Sequence, residues 1–87
     1  MSPRETVIIR SATTADARTI ARLAALDSAP LPLGPALIAE VDGAPRAALP
    51  LRGGDAVADP FAETAHLVRL LHAHAAALDE EPLAAAA

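Results

Sequence analysis

Few side chains in this sequence could do chemistry. Three histidines, His66, His72 and His74, fall in one short segment near the C-terminus, and imidazoles grouped this way invite a metal or acid–base reading. Helical geometry separates them. Metal-binding pairs on a helix sit at i, i+3 or i, i+4, whereas His66 and His74 are about 12 Å apart in rise and His72 and His74 point roughly 200° apart. His66, Arg69 and His72 instead line one face away from a leucine stripe, which reads as solvated surface open to a pH-sensitive contact. Asp42, Asp55 and Asp59 are the candidates for a carboxylate pair that moves a proton or binds a hard cation. Turns and caps account for each: Asp42 precedes Gly43, Asp55 follows Gly53 and Gly54, and Asp59 precedes Pro60 as a helix cap. Ser11 and Ser28 stand in no triad-like motif and no G-x-S-x-G occurs. Gly53 and Gly54 lead into a strand, so they read as a turn and not as a phosphate cradle. The residues themselves assign no catalytic, cofactor-binding or metal-ligating position.

The elements that would position these side chains follow from periodicity. Thr6 to Arg10 is β-branched and reads as a first strand. Thr13 and Thr14 offer capping hydroxyls, Asp16 places a carboxylate in the first turn, and Ala17, Ile20, Ala21, Leu23 and Ala24 recur at helical spacing to an end near Asp27. Pro30, Pro32, Gly34 and Pro35 make residues 28–35 an extended loop. Ala36 to Val41, the Asp42-Gly43 turn and residues 46–49 form a hairpin that stops at Pro50. A second reversal at 52–55 leads to a brief strand, Ala56 to Ala58. Asp59 then caps a helix that starts at Pro60, buries Leu67, Val68, Leu71, Ala75 and Leu78, and ends near Leu78 ahead of Asp79, Glu80 and Glu81. The order is β-α-β-β-β-α, an α+β domain with a mainly antiparallel sheet of three or four strands and two helices. Residues 1–5 read as an N-terminal tail, 6–78 as one domain and 79–87 as a flexible C-terminal tail.

Composition narrows the functions open to such a domain. Of 87 residues 24 are alanine, while Ile, Leu, Val and Phe together supply 21, so one small, alanine-rich core is the most the chain can bury. There is no Cys, Lys, Tyr or Trp, which removes thiolate and Schiff-base chemistry, a tyrosine acid and aromatic platforms for single-stranded bases. Seven arginines against eleven carboxylates give a net charge of −4, which disfavours nucleic acid as a partner. Without a signal-peptide core or a membrane-length apolar run, the sequence predicts a soluble cytoplasmic protein with no membrane partner.

Two segments carry a family resemblance. Ile9-Arg10-Ser11-Ala12-Thr13-Thr14-Ala15-Asp16-Ala17, with Ile20 and Leu23, resembles the first strand and helix of GNAT-type N-acetyltransferases, which often read I-R-x-A-x-x-x-D-a. Leu37-Ile38-Ala39-Glu40-Val41-Asp42-Gly43 is similar to that family's β2–β3 hairpin, and Ala47-Ala48 to the small residues that follow. The resemblance spans residues 6–78 and implies the N-terminal half of that fold, β1 through the helix after β4. It also implies where acetyl-CoA would be held: at the junction of β4 and the next helix, by a loop of pattern Arg/Gln-x-x-Gly-x-Gly/Ala whose N–H groups meet the pyrophosphate. The junction here, Ala58-Asp59-Pro60-Phe61-Ala62-Glu63-Thr64, has no glycine, a proline without an N–H, and two carboxylates. No functional residue of the family carries over to this chain.

The expectation is a truncated, catalytically inactive GNAT-like domain that acts as a small interaction or structural module, most simply a homodimer, with no cofactor. Its motive is an exposed β4 edge and a partly uncovered sheet face. One alternative is an acetyl-CoA-dependent N-acyltransferase whose cleft is completed by a second copy or another chain. Another is a regulatory domain that binds a small ligand in the vestigial cleft.

Overall fold

The computed structural model describes the backbone of residues 5–32 and 34–86, and the side chains of 5–32 and 34–78; of the expected N-terminal tail only Glu5 lies within it. The elements are β1 (Val7–Ser11), a 3-10 turn (Thr14–Asp16), α1 (Ala17–Leu26), β2 (Ala36–Val41), β3 (Ala44–Pro50), β4 (Val57–Ala58) and α2 (Ala65–Ala86). The fold is α+β in the expected order, with a four-stranded antiparallel sheet running β1-β2-β3-β4.

One helix lies on each face of the sheet. Ile20, Leu23 and Ala24 of α1 pack on Ala36, Ile38, Ala48 and Val57, while Leu67 and Leu71 of α2 pack on Leu37, Ala39, Ala47 and Leu49. Alternate residues of β2 thus serve opposite cores. Small alanines at the strand centres let both helices approach closely. Each face of the sheet thus carries a helix, and on the α1 side Ile8 of β1 remains 46% exposed.

Local chemistry explains the joints. Asp42 and Gly43 both have positive φ, 51° and 83°, the pairing that a two-residue hairpin turn requires. Helix α1 ends in a Schellman motif with Ser28 in the left-handed region (φ 51°): the Ser28 N–H donates to the Ala25 carbonyl and the Ala29 N–H to the Ala24 carbonyl. The β2–β3 register shifts between Ala39 and Glu40, whose partners are Ala47 and Pro45, leaving Arg46 as the extra residue of a bulge. Pro45, which has no N–H, suits that irregular position.

Helix α2 departs from expectation at both ends. It begins at Ala65, not Pro60, and its first bond runs from the Val68 N–H to the Thr64 carbonyl. Asp59 is not its cap, because the Asp59 carboxylate is spent on a separate turn described below. At the other end the helix continues past Leu78 to Ala86. Asp79, Glu80 and Glu81 thus fall inside the helix and not at its C-terminus, and the helix also takes in Pro82. Among the described residues no helix is long and apolar enough to cross a membrane.

Candidate functional site

The histidines are not brought together. The His66 ring lies 3.9 Å from the Glu5 carboxylate, His72 borders the Pro50–Gly54 turn, and His74 is exposed. No group of three or more His, Asp or Glu side chains able to hold a metal exists among the described residues.

The carboxylates also separate. Asp42 closes the hairpin onto the start of β1, its Oδ1 accepting the Thr6 N–H at 3.0 Å and its own N–H donating to the Thr6 carbonyl. Asp55 is exposed. Gly53 and Gly54 hold φ of 117° and 108°, backbone that only glycine adopts freely, and they turn the chain from β3 to β4.

Among the described residues two aspartates are buried, Asp16 and Asp59, and each stands where a strand gives way to a helix. Asp16 is gripped by the Arg10 guanidinium through two parallel bonds of 2.9 Å, and its Oδ2 also accepts the Thr13 N–H at 2.7 Å and the Thr13 hydroxyl at 3.2 Å. Arg10 simultaneously donates to Glu40 on β2, from Nε at 3.2 Å and Nη2 at 3.0 Å. The bonds from Arg10, and then that from the Thr13 N–H, hold the Asp16 carboxyl well below the usual carboxylate range. Its bonds to Asp16, then to Glu40, raise Arg10 above its ordinary value. The arginine and acid of the first resembling segment thus lock to the glutamate of the second. A cation already holding both oxygens of Asp16 and one oxygen of Glu40 offers little to a substrate; this cluster ties β1, β2 and the start of α1 together.

Asp59 is the second centre. The bulge aims Arg46 at it: Arg46 Nη1 donates to Asp59 Oδ2 at 3.0 Å, and the Asp59 N–H donates to the Arg46 carbonyl at 2.9 Å. Asp59 Oδ1 accepts the Phe61 N–H at 2.8 Å, and the Asp59 carbonyl accepts the Ala62 N–H at 3.3 Å. Two backbone donors of the β4–α2 junction, the Phe61 and Ala62 N–H groups, are therefore taken by the chain's own aspartate. The turn carries Phe61 outward to 85% exposure.

Edge strand β4 is also more protected than the sequence suggests. Val57 faces the α1 core at 2% exposure, and the outward Ala58 N–H is taken by Asp27 Oδ2 at 3.2 Å. A two-residue strand with its free donor satisfied is a poor template for another strand. Arg46, Asp27 and Phe61 are the residues that sequence reasoning did not single out. Only Phe61 left a signal, as the sole aromatic in the chain. Compared with protein-family models, curated proteins and solved structures, the chain matches none.

Proposed function

We infer that this chain is a catalytically inactive domain of GNAT-type N-acetyltransferase ancestry that works as a small self-associating module. The observation that carries the reading is the Asp59 turn. If the family's cofactor site lay at the β4–α2 junction, its pyrophosphate would need free N–H groups and a helix N-terminus. Here the Phe61 and Ala62 N–H groups are already bonded to Asp59, Pro60 has none to give, and the helix starts only at Ala65. An anion at this turn would have to compete with Asp59 for the Phe61 and Ala62 N–H groups. Self-association is supported by the alanine-rich core and by the large apolar side chain left in solvent at the same turn.

Calorimetric titration of acetyl-CoA into the 87-residue chain, taken to millimolar ligand at two temperatures, tests the inactive reading. The expected result is no saturable heat at either temperature. Saturable binding overturns the reading in favour of an acyltransferase whose cleft a second copy or another chain completes.

A further inference from the structure

Among the described residues the chain's single aromatic side chain is its most exposed large apolar one. Phe61 is not loosely placed: the Asp59–Phe61 bond fixes the turn from which the ring projects. A phenylalanine buries roughly 150–250 Å² when it finds a pocket, and a monomer leaves nearly all of that in water. Beside the start of β4 lies a cavity of about 500 Å³, walled by Pro30, Leu31 and Pro32 of the loop after α1 and by Pro50 and Val57 of the sheet. These walls are apolar, Arg52 and Asp55 supply one charge of each sign to the lining, and the cavity is of ample size for one ring. Charge distinguishes the two surfaces further. Arg52 lines the cavity, is exposed and makes no ion pair among the described residues; Glu63, two positions beyond Phe61, is likewise exposed and makes none.

We propose that Phe61 of one copy seats in the Pro30–Pro32 cavity of a second copy, with Glu63 of the first beside Arg52 of the second. The proposal rests on the self-association inferred above and names its surface. Made reciprocally, the two contacts relate the copies by a two-fold axis, and the assembly closes as a dimer. Pairing of β4 strands is not part of it, since Asp27 holds the outward Ala58 N–H. The aromatic in a proline- and leucine-walled pocket is the anchor, and the Glu63–Arg52 pair at the rim sets orientation.

Sedimentation equilibrium over a concentration series to millimolar tests this, with far-UV circular dichroism checking that each variant folds. The wild-type chain is expected at twice 8.8 kDa. Phe61→Ser and Leu31→Glu, both at exposed positions, should each raise the dissociation constant at least about 100-fold, because every dimer loses two ring-and-cavity contacts worth about tenfold or more apiece. A mixture of the two variants keeps one intact contact and should associate more tightly than either alone. Arg52→Glu and Glu63→Arg should each weaken the dimer, and the double swap should restore it. A wild-type dimer that Phe61→Ser leaves unchanged overturns this surface while self-association stands. A wild-type chain that remains at 8.8 kDa throughout removes both.

Discussion

The two strand-to-helix junctions use the same parts to opposite ends. Each has a buried aspartate, an arginine from the sheet and a turn N–H on the carboxylate. The difference is direction. Asp16 reaches back three residues to Thr13, the acid half of a capping box, so the chain enters the 3-10 turn and then α1 without interruption. Asp59 reaches forward two residues to Phe61, an Asx-type turn that competes with helix, so α2 waits until Ala65. The first junction is closed, with Glu40 as a third partner and nothing left to offer. The second displays a ring. A buried aspartate at a helix entrance is thus no guide to function until the direction of its bonds is known.

The largest break in this comparison comes from Arg10. Arg10→Met leaves Asp16 and Glu40, with side chains only 12% and 17% exposed, as neighbouring carboxylates without a cation. About 2 kcal/mol of stability should be lost, less than for a fully buried pair because Arg10 is itself about a third exposed. Urea denaturation at neutral pH measures this. A midpoint within error of wild type would show that the cluster is ornamental and that the helix entrance is held by packing alone.

Asp16→Asn sharpens the same junction with a smaller effect, since asparagine still accepts the Thr13 N–H and Arg10 keeps Glu40. The sign with pH is fixed by direction: a carboxyl held below its ordinary 3.8 in the folded state contributes stability that is present above that value and lost as pH falls below it. The stability gap between wild type and Asp16→Asn should therefore be constant above about pH 5 and shrink steadily in acid. A gap that stays constant down to pH 2 would remove the ion pair from the account.

What the sequence made legible was local. The hairpin turn at Asp42-Gly43, the α1 start at Thr13–Asp16 and the proline-rich loop that follows α1 all act within a few residues, and each stands in the structure near its expected position. The misplaced start of α2 has a long-range cause. Asp59-Pro60 is a sound cap and first position by local rules, but the Asp59 carboxylate is drawn into a turn by Arg46, thirteen positions earlier, which a bulge aims at it. Arg10 to Glu40 and Asp27 to Ala58 span thirty and thirty-one positions. Pairings of that range leave no periodicity to read, and they decide which edges and turns remain open. The protection of β4 was hidden for the same reason: its donor is satisfied from the far end of α1.

The smallest effect belongs to the second junction, and it tests whether direction matters as argued. Asp59→Ala removes the acceptor of the Phe61 N–H and the partner of the half-exposed Arg46, at a cost of about 1 kcal/mol. Stability alone would not distinguish this from any surface change. Amide hydrogen exchange does: the Phe61 amide should exchange faster in Asp59→Ala, while the Thr13 amide, held by Asp16 on the other side of the sheet's connectivity, should be unchanged. Freed of its Asx turn, Phe61 loses the fixed projection that a receiving cavity requires, so the variant should also dimerise more weakly although no contact side chain has changed. If Phe61 exchange and association are both unaltered, the turn is set by Pro60 and the helix that follows, and the two junctions owe their difference to something other than their aspartates.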